Sequence, residues 1–358
     1  MSVILIIIGV VALCVFLTDI WLIFDTWQKR IHIGKYTDRI EWQIRLQHKA
    51  KEWIKKSPTI RIDDQERFIL WDIIRGRYRS ATIQSWQDAG LLMGLSKEDA
   101  LFYMHKHPNI FNVENMDIDV ALLAHALKKK EILNKEDEDK VKSLFVPYNE
   151  NGTVPYRNNI KNIRFVDTIG LACPFLNDIG CVNLVKRQID EYDSLLLKGV
   201  FPCHAFDIFR KLPLGVYDWS RGIGWYIIGL TECISIDENK DRIIKLAYKM
   251  LPFQREDGGF NCMIFNSHER FESSGSCLAG ILFINAYNLT SDSRFLRAAF
   301  EVEKSLMKNT RRDGAIDFAQ GDTKGIGFYS NQFGIMPFVQ GMGIYLSKKL
   351  DKYETNFG

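Results

Sequence analysis

Gly152-Thr-Val154-Pro-Tyr156, Gly199-Val-Phe201-Pro-Cys203, Gly258-Gly-Phe260-Asn-Cys262 and Gly314-Ala-Ile316-Asp-Phe318 share one pattern. A glycine is followed two positions on by an apolar residue, and two further by an aromatic residue or a cysteine. Starting at residues 152, 199, 258 and 314, successive copies lie 47, 59 and 56 residues apart, enough for two helices and their turns. Helical periodicity fills the gaps: residues 41–56, 68–74, 120–127, 179–197, 225–236, 243–251, 276–287 and 295–307 place apolar side chains on one face. Alternating β patterns of useful length are nearly absent, and charged stretches such as residues 128–140 read as loops. Stacked helical hairpins whose loops recur on one face predict an all-α toroid, running from about residue 35 to the end.

Composition narrows the function classes. The chain has 358 residues, 46% hydrophobic and 25% charged, which is ordinary for a globular enzyme. Lys+Arg 47 against Asp+Glu 44 gives a net charge of +3, too small for electrostatic binding of nucleic acid. Seven cysteines occur without a CxxC pair, and His105-Lys-His107 lacks the carboxylate or thiolate context of a metal site. No metal and no cofactor is expected, and the thiols read as free.

The N-terminus departs from a soluble enzyme. Residues 3–17 are uninterrupted apolar or glycine, and residues 20–24 continue the run after Thr18 and Asp19. Some 22 residues at ~1.5 Å each span the ~30 Å hydrocarbon core of a bilayer. No basic n-region or small-residue cleavage site marks a signal peptide. Lys29, Arg30, Lys35 and Arg39 follow the segment and nothing basic precedes it, so the positive-inside rule puts the bulk of the chain in the cytoplasm. The expectation is a single-pass anchor over residues 1–25, embedded through residues 3–24, and a barrel domain over residues 26–358.

Two toroid families offer resemblances. Gln254-Arg-Glu-Asp-Gly-Gly-Phe260 resembles the Gln/Trp-type repeat of terpene cyclases and related prenyl enzymes, but Asp117-Ile-Asp119-Val120 lacks the final Asp of their acid motif. More residues favour the second family. Ile163-Arg-Phe-Val-Asp167-Thr-Ile-Gly-Leu-Ala-Cys-Pro174 resembles the segment carrying the catalytic Asp in unsaturated glucuronyl and rhamnogalacturonyl hydrolases, glycoside hydrolase families 88 and 105. His204-Ala-Phe-Asp207 resembles their sugar-binding His motif, and Trp219-Ser-Arg221-Gly222-Ile-Gly224-Trp225 their Trp-x-Arg-Gly-x-Gly-Trp signature. Glu272-Ser-Ser-Gly275 and Gly325-Ile-Gly327-Phe-Tyr329 follow in the family's order. The resemblance covers residues 110–345 and implies a six-hairpin (α/α)6 barrel.

It also implies a chemistry. The family hydrates the C4–C5 double bond of an unsaturated uronic acid, and the hemiketal that forms collapses to release the sugar. Asp167, followed by the apolar run 169–176, is the expected proton donor, because burial raises a carboxyl pKa toward the range a general acid needs. Asp117, taken over Asp119, sits where the family has its second Asp; either Asp117 or Asp167 could instead cap the helix after it. Trp219 and Trp225 offer indole faces to a sugar, Arg221 a fork for a carboxylate, and His204 a hydrogen bond to a hydroxyl. A tightly packed helix start with Arg221 on an internal carboxylate, and His204 as a core residue, are the alternatives. Ile223 stands where the family has Asn or Gln, the Asn-x-Gly that follows its second Asp is missing, and an anchor is unusual among these hydrolases. The expected function is a membrane-anchored glycoside hydrolase-like enzyme on an acidic or unsaturated saccharide, in polysaccharide metabolism. A catalytically altered polysaccharide-binding assembly factor for surface polysaccharide biosynthesis and a terpene or prenyl enzyme are the competing expectations.

Overall fold

The computed structural model describes residues 2–61, 70, 74, 78–80, 84–112, 116–148, 150–157, 159–323 and 325–356. Its helices are α1 (Ser2–Arg30), α2 (Arg39–Lys55), α3 (Ser85–Gly94), α4 (Lys97–Lys106), α5 (Asp119–Lys128), α6 (Lys135–Ser143), α7 (Asp167–Asp178), α8 (Val182–Asp193), α9 (Ser220–Glu232), α10 (Asp237–Met250), α11 (Ser273–Thr290), α12 (Ser293–Lys308) and α13 (Pro337–Leu350). Strands among the described residues are two or three residues long and pair only locally. In one small sheet Ala205–Asp207 lies between Ile163–Phe165 and Leu212–Leu214; in another Ala319–Gln320 pairs with Phe333–Gly334. The all-α toroid expected from the repeat is the observed fold.

Six helices form the inner ring. α3, α5, α7, α9, α11 and α13 each pack on the next, and α13 returns to α3. They are buried nearly all round, as helices walled in on both sides must be. The α13–α3 seam closes tightly because glycines line it: a Cβ at Gly94 would sit 2.1 Å from the Gly341 carbonyl oxygen. The outer ring is amphipathic, as in α12, whose Phe295, Leu296, Ala299, Val302 and Leu306 turn inward. The sixth hairpin is made by the two chain ends. α2 packs beside α13, held by Gln340 Nε2 donating to the Leu46 carbonyl and by Trp42 Nε1 donating to Thr310 Oγ1.

The four repeated glycines lie in the loops that carry the chain from an outer helix toward the next inner one. All four have positive φ, +83, +71, +90 and +84°. At Gly258 a Cβ would also meet the Glu301 carbonyl oxygen at 2.1 Å, backbone that cannot step aside. Gly258→Ala is therefore expected to cost about 2–4 kcal/mol, from the left-handed backbone plus the clash. Chemical denaturation measures it, and a loss under ~1 kcal/mol would show that this loop can shift. The neighbouring Gln254 is structural: its side-chain amide donates to the Gly258 and Ala298 carbonyls.

Two sequence expectations change. The charged stretch read as loop over residues 128–140 contains the start of α6, which buries Val141 and faces solvent elsewhere. The segment 68–74 lies, apart from Leu70 and Ile74, outside the described residues.

The inner helices all start at one end of the barrel. At the other end their C-terminal turns close on a charged network. The His125 ring nitrogens lie 2.7 Å from Asp178 Oδ2 and 3.3 Å from Glu232 Oε2. Lys129 donates to Glu232 Oε2 and to the Tyr345 hydroxyl, which itself donates to Glu232 Oε1.

α1 runs unbroken past residue 25 to Arg30, with nearly all its apolar side chains exposed; it is long and apolar enough to cross a membrane. Its last turn is fixed to the barrel. Arg30 makes a two-pronged contact with Asp317 (2.7 and 3.1 Å) and donates to the Phe333 carbonyl, while the Arg312 N–H donates to the Lys29 carbonyl.

Candidate active site

The end where the inner helices start carries the site. Starting turns expose unpaired N–H groups and the positive ends of helix dipoles. A pocket of about 410 Å³ opens there between the first turns of α3, α7 and α9, lined by Gln84, Trp86, Tyr156, Asp167, Leu171, Trp219, Arg221, Trp225, Asp322 and Thr323. Buried polar atoms are normally hydrogen-bonded. Here Gln84 Oε1, Gln87 Oε1, Asp119 Oδ1, Asp167 Oδ2 and Thr168 Oγ1 are buried without a partner among the described residues. All five lie at or beside the first turns of three consecutive inner helices, and two of them, Gln84 and Asp167, line the pocket.

Asp167 is the first residue of α7, placed by the Val166 N–H donating to the His204 carbonyl. Its side chain is 17% exposed. Burial pushes its carboxyl up to about 6, against a hydrogen bond from the backbone and the pull of Arg221 and Arg157. The first turn of α7 thus presents an acid that holds its proton in mildly acidic solution.

His204 stands behind the pocket lining. Its Nε2 lies 3.7 Å from Asp167 Oδ2, and its Nδ1 lies 3.0 Å from the Tyr329 hydroxyl. Burial, and secondarily Arg221, pushes its pKa down to about 4, so the ring beside Asp167 is neutral. Trp219 packs on the His204 ring at 4.7 Å and donates through Nε1 to Gln320 Oε1. Trp225, one turn deeper in α9, meets Trp86 edge-on at 5.4 Å. Three indoles therefore wall one pocket, Trp86 among them without having been singled out in the sequence.

Arg221 lines the pocket, but its guanidinium is engaged. Nη1 donates to the Gln320 carbonyl and Nη2 to the Gly321 carbonyl, with the ring of Trp219 5.3 Å away. The fork expected for a sugar carboxylate holds the loop that carries Asp322 and Thr323. Ile223 is buried in the core, outside the pocket lining.

The second acid also falls differently. Asp117 has a side chain 46% exposed, lies outside the pocket lining, and accepts the Asp119 N–H at the start of α5 through Oδ1 (3.0 Å). That is the helix-start role its sequence context allowed. The buried carboxylate is Asp119, whose Oδ2 accepts from Arg157 at 2.8 Å. Burial raises the Asp119 pKa to about 7, opposed by Arg157 and reinforced by Asp117. Tyr156, the last residue of the first glycine repeat, lines the pocket, and its hydroxyl accepts from Arg157 Nη2 at 3.2 Å. Its guanidinium neighbour Arg157 stacks on it at 3.9 Å, and burial together with Asp119 and Asp167 raises its hydroxyl pKa. One signal for Asp119 was available: it opens an inner helix just as Asp167 does, directly before an apolar run.

Among the described residues no group of three or more His, Cys, Asp or Glu side chains is arranged to hold a metal. No protein-family model and no curated sequence matches the chain. Solved structures do. A possible member of glycoside hydrolase family 105 from Klebsiella pneumoniae superposes with a TM-score of 0.64 at 15% identity, covering 89% of this chain and 95% of that one. An unsaturated glucuronyl hydrolase from Bacillus sp. GL1, responsible for the degradation of glycosaminoglycan, gives 0.63 at 16%, covering 88% and 97%. A family 88 glycosyl hydrolase from Bacteroides vulgatus gives 0.60 at 15%, covering 87% and 97%. With the closed ring of inner helices, these matches make the barrel a six-hairpin, glycosidase-like (α/α)6 toroid.

Proposed function

We propose that the chain is a glycoside hydrolase-like enzyme that hydrates an unsaturated, acidic saccharide, with Asp167 as acid and then base. One observation carries the reading: a carboxyl pushed up to about 6, with a buried Oδ2 unpartnered among the described residues, in a pocket walled by Trp86, Trp219 and Trp225. In the proposed step the Asp167 proton goes to C4, water adds at C5, and the Asp167 carboxylate takes the proton the water gives up. The hemiketal then opens and the downstream sugar leaves as an alcohol. Neutral His204 positions Asp167, and Asp119 with Arg157 shapes the adjacent wall. Asp117 and Arg221 act through Asp119 and the 320–321 loop rather than on the sugar.

The proposal is tested by following the ultraviolet absorbance of the C4–C5 double bond with unsaturated uronyl oligosaccharides. Rates should fall as pH rises through about 6, as Asp167 loses its proton. Arg221→Gln removes a cation that favours the carboxylate, so the alkaline limb should move upward. A limb that stays put would show that Asp167 does not titrate in the step.

One observation favours a second reading, the catalytically altered polysaccharide-binding assembly factor: Arg221, the arginine of the pocket lining among the described residues, is spent on backbone carbonyls. Retained binding without any loss of absorbance would select it. We further propose that α1 is a single-pass anchor with the barrel on the cytoplasmic side. Its apolar exposure and the basic residues after it support this.

A further inference from the structure

The anchor does not end in a free linker. The aromatic side chains Trp21, Phe24 and Trp27, followed by Lys29 and Arg30, mark where a spanning α1 leaves the hydrocarbon for the headgroups. At that level Arg30 grips Asp317, which is fully buried and also accepts from Arg311, and donates to the Phe333 carbonyl. Asp317 leads in five residues to Asp322 on the pocket rim, at most ~18 Å of chain. Gln320 between them pairs with Phe333 and binds Trp219 and Arg221. From Phe333 the same short stretch runs back to Phe328, 74% exposed. The last turn of α1 is thus fastened to the loop that frames this side of the pocket.

We propose that the pocket opens toward the bilayer that holds α1, and that its saccharide is displayed on a lipid of that same membrane. This rests on the proposed readings of α1 as a span and of the pocket as a saccharide site. A flexible tether would suffice for soluble fragments. A rigid clamp on the mouth fixes which way the pocket looks, and sharing a membrane raises the effective concentration of an anchored ligand.

The full chain in lipid vesicles, with Cys14 and Cys181 replaced by serine, tests the orientation. A bimane label at Phe328→Cys should be quenched by headgroup nitroxide lipids at least about twofold more than one at Ser235→Cys, at the closed end. Equal or reversed quenching overturns the proposal. An unsaturated uronyl disaccharide coupled to a phospholipid tests the ligand. It should lose its double bond at least about tenfold faster in the chain's own vesicles than in separate ones, while the free disaccharide reacts with either preparation. Equal rates overturn the membrane-displayed ligand. Lack of turnover or binding of the free disaccharide, with the quenching pattern intact, falls on the saccharide reading and leaves the orientation standing.

Discussion

Asp167→Asn is expected to abolish turnover by roughly 10²–10⁴-fold while making the folded chain more stable at neutral pH. The first effect follows from the proposed role, because asparagine keeps the shape of the side chain but has no proton to give. The second follows from burial. The folded carboxyl is pushed up to about 6, so Asp167 contributes stability that is fully present below the unfolded pKa. That contribution is lost as pH rises through about 6. Two pK units correspond to ~3 kcal/mol, reduced to about 2 kcal/mol for a side chain that is 17% exposed. Denaturation at pH 7.5 should show the variant more stable than wild type by this amount, and at pH 3 the two should converge. Lost activity without the gain would mean that Asp167 is better solvated than its surroundings imply. A gain without lost activity would remove it from the chemistry.

Asp317→Asn should be the most damaging single change at the junction of anchor and barrel. The carboxylate is fully buried and answers two guanidiniums, Arg30 and Arg311, of which Arg311 is 9% exposed. Removing one partner of such a cluster leaves charge buried and unanswered, at about 3–5 kcal/mol in closed sites. Arg30 is 36% exposed and recovers part of this from water, so about 2–4 kcal/mol is expected here. Burial alone would raise the Asp317 pKa, but Arg311 and Arg30 outweigh it and hold it below the usual carboxylate value. The stabilisation is then present above the unfolded pKa and lost as pH falls through the folded one. The gap between wild type and variant should be full at pH 7 and shrink in acid. Faster proteolysis within residues 31–38 would report the same loosening; unchanged cleavage and stability would mean that the clamp carries no load.

The outer ring was legible because it is amphipathic. α12 and α10 show an apolar face against a charged one; α12 was found to within two residues at each end, and α10 without its first six residues. Of the inner ring, α5, α9 and α11 were found as well, while α3 and α13 hid for the opposite reason. α3 and α13 are buried all round and interrupted by the glycines that close their seam, so no 3.6-residue stripe separates two faces. α6 hid because it buries one side chain, Val141. The glycine repeat marked loops that share a positive φ, a backbone requirement that short sequence can carry. Candidate residues that reach the pocket were legible where a helix start fell in a quoted motif, as at Asp167 and Trp219. Asp117 and Asp119 differ by two positions, and only the path of the chain into α5 decides which one is buried. Arg221 was misjudged because its partners are backbone carbonyls a hundred residues away, which no local pattern announces.

The network of His125, Asp178, Glu232, Lys129 and Tyr345 makes the barrel a cup rather than a tube. On the proposed chemistry the acid at its mouth meets the tip of a glycan rather than a bond in the middle. Such an enzyme trims chains one end at a time. Its pace would be indifferent to how long the chain is, and a single cap on the terminal sugar would silence it.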